Sequence, residues 1–224
     1  MTSIILLAQS SGLMIPAPLN ADVPSEGGSL VCNSASCPPG KYCGITNGVP
    51  GCFDLTFGNC VTWGDPHYDT FDKEVHHFMG ICTYTLSKLC TNSTSLPYFN
   101  IEAKNEHRHG ITTVSYIQKV MVDVYDHKIG IFKAKPSQVL VDHIWRNLPV
   151  ILANGSLTVK QSGRYVIVET DFHLTVSYDT DHTVDVKVPT NYFNQTCGMC
   201  GNFNGIRQDD YLMRNGQLAQ NSNQ

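Results

Sequence analysis

Nine cysteines stand at Cys32, Cys37, Cys43, Cys52, Cys60, Cys82, Cys90, Cys197 and Cys200, and none lies between Cys90 and Cys197. This distribution constrains the fold more than any other feature. Clusters at both ends of a long cysteine-free stretch suggest disulfides that tie the ends of one segment together. The number is high for a cytosolic chain of 224 residues and points to an oxidising compartment. Three N-glycosylation sequons agree, beginning at Asn92, Asn154 and Asn194. A secreted or extracellular chain is therefore expected. Ile4–Ala8 is apolar, but it is shorter than a normal signal-peptide core and no basic residue precedes it. Together with the odd cysteine count, this reads as part of a longer secreted protein.

The length suits one medium domain with a small appendage. Residues 1–30 are rich in Ser, Pro, Gly and Ala and read as a flexible leader or linker. Residues 31–58 hold four cysteines with Pro38-Pro39-Gly40 and Asn47-Gly48, a small cysteine-rich module too short to own a core. Two internal disulfides would have to hold it, in a pairing the sequence does not specify. Residues 59–224 form the main domain. A net charge of −4 lacks the basic stripe that a nucleic-acid partner would favour. No apolar run approaches the length of a membrane span.

From about Asn59 the pattern is β. Val120, Val122 and Val124 alternate with Met121, Asp123 and Tyr125; Leu174, Val176 and Tyr178 alternate with Thr175 and Ser177; Val184, Val186 and Val188 alternate with Asp185 and Lys187. Period two with β-branched residues is the signature of half-buried strands. Turn signals recur at Asp126-His127, Lys135-Pro136, Asn154-Gly155, Ser162-Gly163 and Asp179–Asp181. No segment holds a helical period for three turns. An all-β, antiparallel, sandwich-like fold is expected.

Two motifs carry chemistry. The first is Gly201-Asn202-Phe203-Asn204-Gly205-Ile206-Arg207-Gln208-Asp209-Asp210. Asn202 and Asn204, two apart, can aim their oxygens at one point; Gly205 permits a sharp bend; Asp209 and Asp210 return two carboxylates. Hard oxygen donors around a glycine turn suit calcium rather than zinc or copper. The second motif is Gly64-Asp65-Pro66-His67. An aspartyl carboxylate can attack its own carbonyl, and a protonated proline nitrogen leaves well. Asp65 would be the nucleophile and His67 the proton carrier. A tight turn with Pro66 fixing φ, opening the first strand, is the plainer reading of the same residues.

Other chemistries are poorly supported. His76-His77 and His107-Arg108-His109 lack a third zinc ligand and read as surface histidines. There is no Gly-x-Ser-x-Gly elbow, P-loop or dinucleotide fingerprint. The pair Cys197 and Cys200 reads either as a redox-active dithiol or as two half-cystines paired elsewhere.

The motifs GDPHYDTFD (Gly64–Asp72), Cys82-Thr83-Tyr84, Ser162-Gly163-Arg164-Tyr165 and CGMCGNFNG (Cys197–Gly205) occur in an order that resembles the von Willebrand factor type D domain. This is the domain of gel-forming mucins, tectorins, zonadhesin and the IgG Fc-binding protein. The resemblance covers about Asn59 to Asp210. It implies a calcium shell of Asp72, Asn202, Asn204, the Ile206 carbonyl, Asp209 and Asp210. Two departures should weaken it: Asn204 stands where the family often has Asp, and Lys73 follows Asp72 where glycine is usual. The resemblance also implies Cys60–Cys200 and Cys90–Cys197 bonds, with Cys82 unpaired here because its partner lies downstream of Gln224. Some members are cut between Asp and Pro of the GDPH motif. In function, the resemblance implies an extracellular, non-enzymatic structural or adhesion module of a mucin-like or matrix glycoprotein. Its partners would be other extracellular glycoproteins or further copies of the same protein. The alternatives are thiol–disulfide exchange through Cys197 and Cys200 during multimer assembly, or a specific binding role such as gamete adhesion or immunoglobulin capture.

Overall fold

The computed structural model describes residues 37–38, 40–46, 49–91, 95–210 and 217. The leader 1–30, Cys32 and the sequon at Asn92 lie outside the described residues. The chain is all-β, with only single turns of 3-10 helix among the described residues.

The strands β1 (Lys41–Thr46) and β2 (Val49–Asp54) pair as a separate two-stranded ribbon. Cys37–Cys52 closes the ribbon on itself, and Cys43 is disulfide-bonded as well. A ribbon this small has too little apolar surface to hold itself together, so covalent bonds take the place of a core.

The remaining strands build two antiparallel sheets. One contains β3 (Phe57–Trp63), β4 (His67–Asp69), β5 (Val75–His77), β12 (Val150–Leu152), β13 (Leu157–Ser162), β14 (Tyr165–Thr170), β15 (Thr175–Tyr178) and β16 (Val184–Pro189). Its order is β12-β13-β14-β15-β16-β3-β4-β5. The other contains β6 (Thr83–Leu89), β7 (Phe99–Arg108), β8 (Ile111–Val124), β9 (His127–Phe132), β10 (Gln138–Val141), β11 (Ile144–Asn147) and β17 (Thr196–Cys197). Its order is β11-β10-β9-β8-β7-β6-β17.

The alternation in the sequence sets which face is buried. Val120, Val122 and Val124 of β8, Ile129 and Ile131 of β9, and Val139 and Val141 of β10 are all buried, as are Val166 and Val168 of β14 and Val184, Val186 and Val188 of β16. Residues from both sheets join one hydrophobic cluster, which is the sandwich core. Two expected turns lie one residue from the sequence reading: Tyr125-Asp126 rather than Asp126-His127 joins β8 to β9, and Gly163-Arg164 rather than Ser162-Gly163 joins β13 to β14.

Two sequence readings change. The sheet strand β3 begins at Phe57, ahead of the expected start of the β region. The Gly64–Pro66 turn therefore does not open the first strand. It is the three-residue loop of a hairpin, with Trp63 opposite His67 across β3 and β4.

Candidate functional site

The site is assembled around one short segment, Cys197–Gly201. Cys200 is fully buried and joined to Cys60 in β3, with an S–S distance of 2.03 Å across 140 residues of sequence. Cys197, in β17, is joined to Cys90 just after β6, across 107 residues. Neither cysteine bonds to the other, so no Cys197–Cys200 dithiol exists here. Cys82 is free and exposed.

The backbone of the segment contacts both sheets. On one side Met199 N–H donates to Thr85 O at 3.0 Å and Cys200 N–H to Leu86 O at 2.8 Å, along β6. On the other side Cys200 O accepts from Phe71 N–H at 3.0 Å, and Met199 O meets His76 Nε2 at 2.9 Å. Glycine is required at Gly198: φ is 124°, and a Cβ would sit 2.6 Å from Leu86 O.

His76 is a correction to the sequence reading. It is 6% exposed, not a surface histidine, and its ring stacks on Tyr68 with centroids 4.9 Å apart. Burial lowers its pKa below the ordinary histidine value, against the opposing pull of the Met199 hydrogen bond. The sequence Val-His-His gives no sign of this, since its one apolar residue, Val75, is the exposed neighbour. His107 and His109 are exposed, with no metal cluster among the described residues.

The oxygen-rich loop follows directly and folds against Asp72. The Asp72 carboxylate accepts Asn204 N–H at 2.9 Å and Gly205 N–H at 2.8 Å, one on each oxygen. Its carbonyl accepts Arg207 Nε at 3.2 Å. Asn204 Oδ1 accepts Ile206 N–H at 2.7 Å, while its amide nitrogen donates to Asp209 Oδ2 at 2.8 Å. Asp210 is buried; Oδ1 accepts Asn202 N–H at 3.2 Å and Oδ2 accepts the Thr70 hydroxyl. Thr70 and Phe203 carry no signal of this role in the sequence. Phe203 packs its ring on Phe71 and Phe193, which pins the loop to the domain.

Does this donor set suit a hard cation? Among the described residues, the loop oxygens Asn202 Oδ1 and Asp209 Oδ1 are buried without a hydrogen-bond partner. Such acceptors are costly to bury unless a hydrogen-bond donor, an ordered water or a cation meets them. The pKa of Asp210 is pushed up to about 6, chiefly by burial, with the Asp72 and Asp209 charges adding to the rise. Negative charge is thus crowded at the base of the loop. Each Asp72 oxygen accepts one backbone N–H and keeps lone-pair capacity for a cation. Among the described residues no three acidic, histidine or cysteine side chains form a metal cluster unaided. Amide and carbonyl oxygens beside carboxylates are donors of the kind that suit calcium rather than zinc. Lys73 directs its ammonium to Asn59 O at 3.0 Å and to Asp69 at 3.2 Å. Its φ of 68° lies in the left-handed region that favours glycine.

The Asp-Pro hairpin lies on the neighbouring edge. His67 Nε2 is 3.0 Å from Asp65 Oδ1. Its other nitrogen, Nδ1, contacts Nδ1 of His77, the residue directly opposite on β5. The Trp63 ring flanks His67 from the other side, with centroids 5.4 Å apart. Both sequon residues within the described region, Asn154 and Asn194, are exposed and have left-handed backbones.

The main domain has relatives among known proteins. The von Willebrand factor type D domain family matches residues 60–217. The chain is 44% identical over 187 residues to the human IgGFc-binding protein, covering 84% of this chain and 3% of that protein. It is 40% identical over 190 residues to mouse alpha-tectorin (85% and 9%) and 41% identical over 193 residues to human zonadhesin (86% and 7%). The chain thus spans less than a tenth of the length of these relatives.

Gly201 tests the geometry of the loop. Its φ is +80°, and a Cβ there would lie 1.9 Å from Asp210 Oδ1. Gly201→Ala must displace the Asp210 carboxylate from Asn202 and Thr70, and should cost on the order of 2–4 kcal/mol. Urea unfolding at neutral pH measures this as a lower midpoint with an unchanged slope.

Proposed function

The chain belongs to the von Willebrand factor type D domain family, an extracellular and disulfide-bonded module, and on that premise we propose that its work is mechanical. It is a calcium-stabilised structural and adhesion module of a longer glycoprotein, without turnover of a substrate. The observation that carries this reading is the junction at Cys197–Asp210. There one segment links both sheets, and the loop that follows gathers hard oxygens over Asp72. Calcium would be held by Asp72, Asn202, Asn204, the Ile206 carbonyl, Asp209 and Asp210. It would supply the positive charge that the orphan oxygens of Asn202 and Asp209 lack. Partners would be other extracellular glycoproteins or further copies of the same protein. Binding of the IgG Fc, named for one relative, supplies no additional argument for this chain.

Calcium binding that is absent from the unfolded chain stabilises by mass action. At ten times the dissociation constant the gain is about 1.4 kcal/mol. For a domain of this size that corresponds to roughly 3–6 °C in unfolding midpoint. The wild-type chain should show this rise on replacing chelator with millimolar calcium, and Asp209→Asn should show little of it. A wild-type midpoint indifferent to calcium would remove the cation from this account.

A second reading is self-cleavage between Asp65 and Pro66, favoured by the His67–Asp65 contact at 3.0 Å. An Asp65 carboxylate oxygen would attack the Asp65 carbonyl carbon and form a cyclic anhydride. The C–N bond to Pro66 breaks, and the proline nitrogen takes a proton from His67. Water then opens the anhydride to leave Asp65 as a free C-terminus. His77 holds the His67 ring through Nδ1 and acts as a positioning residue. After weeks at mildly acidic pH, a reduced gel should show a fragment starting at Pro66, with the chain intact when unreduced. His67→Ala should slow its appearance by about 10²-fold or more. Equal rates in the two proteins would leave only the ordinary acid lability of an Asp-Pro bond.

A further inference from the structure

The solvent face of the seven-stranded sheet has an unexpected composition. Strands β8 to β11 bury one face in the core, so the other should be polar. Instead Met121, Gly130, Leu140 and Trp145 lie directly opposite one another across the four strands. The Phe132 ring folds down over Gly130, where a Cβ would come within 2.9 Å of it. The Trp145 ring lies 5.1 Å from that of Phe132, and Trp145 is 44% exposed on the edge strand β11.

Lysines rim this aromatic floor. Lys119 Nζ is 5.6 Å from the Phe132 ring and Lys135 Nζ is 4.4 Å from the Trp145 ring. Among the described residues neither forms an ion pair with a carboxylate. Lys133 is paired with Glu106, whose carboxylate also accepts from Arg108 at 3.2 Å and Gln118 at 2.9 Å. The carboxylate in the groove wall is thereby neutralised. A groove of about 330 Å³ is lined by Glu106, Gln118, Lys119, Phe132, Lys133 and Lys135. That is at the lower end of the roughly 300–1,000 Å³ range of small-ligand clefts.

We infer that this groove binds a sulfated saccharide, with a sugar ring lying on Phe132 and Trp145 and its sulfate groups held by Lys119 and Lys135. The two residue types meet different parts of one ligand. Aromatic faces suit the flat, weakly apolar C–H face of a pyranose, as they suit other rings and cations. Ammonium groups without protein anions are free to make charge-assisted hydrogen bonds. The cation–π contacts hold the lysines beside the rings until an anion competes for them. The chain as a whole carries a charge of −4, so the lysines of the groove do not reflect a generally basic chain. The site is separate from Asp72 and its loop, and from the Asp-Pro hairpin.

The test is titration of the whole chain with a heparin hexasaccharide, its desulfated counterpart and a poly-glutamate peptide, in physiological salt. Preference for the sulfated sugar over both others is expected. Lys119→Ala/Lys135→Ala should weaken it about tenfold or more, the loss of one good charged contact or its equivalent. Trp145→Ala should weaken it several-fold, whereas the charge-matched Lys41→Ala/Lys160→Ala pair should not. All these side chains are on the surface, and an unchanged thermal midpoint checks the fold. Equal binding of the desulfated sugar, or equal affinity in the groove variant and the charge-matched control, would overturn the assignment. So would equal binding of poly-glutamate with no effect of Trp145→Ala, which would mark a purely electrostatic patch.

Discussion

The disulfide between Cys60 and Cys200 is the constraint on which the rest of the domain depends. It joins β3 of one sheet to the segment that follows β17 of the other. On the chain-entropy account, which is model-dependent, closing a loop of this length removes about 5 kcal/mol of freedom from the unfolded chain. Its larger effect is positional. Once Cys200 is fixed, Met199 and Cys200 run along β6 while their carbonyls meet His76 and Phe71. The oxygen-rich loop then has to emerge beside Asp72, just past β4 of the Asp-Pro hairpin. The bond also decides what a cut at Asp65 would do. Cys60 lies before the cut and Cys200 after it, and β3 stays paired with both β16 and β4. Severing the backbone there would open a hairpin without separating the pieces.

Much of the fold was legible because half-buried strands write their burial into every second residue. Val120, Val122 and Val124 are buried, as their alternation demanded, and Tyr125-Asp126 turns where Asp126 suggested. Less legible was anything decided by contacts between distant segments. His76 looked like one of a pair of surface histidines. Only the segment from Cys197 to Gly201, remote in sequence, gives its ring a carbonyl to bind and a lid to bury it. Thr70 gave no signal, because its role is to donate to a carboxylate 140 positions away. The Asp-Pro turn was recognisable as a turn, but the strand before it was obscured by Gly58 and Asn59, poor strand formers that the register with β16 overrides.

The two faces of the molecule divide its chemistry. Negative charge and orphan oxygens collect at the loop after Cys200, where a small hard cation would complete the packing. Ammonium groups without an ion pair among the described residues, and aromatic rings, collect on the outer face of β8 to β11, where the core imposes no demand for them. Burial in the core does not account for Trp145, which is exposed beside the half-buried Phe132 with a lysine close to each ring. The scaffold and the groove thus answer to different requirements, one for rigidity and one for recognition.

The most direct measurement of the central claim is disulfide mapping of the secreted chain by mass spectrometry of unreduced proteolytic peptides. The account predicts one linked peptide joining Cys60 to Cys200 and another joining Cys90 to Cys197, with Cys82 alkylated as a free thiol. A peptide containing a Cys197–Cys200 bond would contradict it: the sheets would lose their covalent junction, and a thiol-exchange role for the pair would take its place.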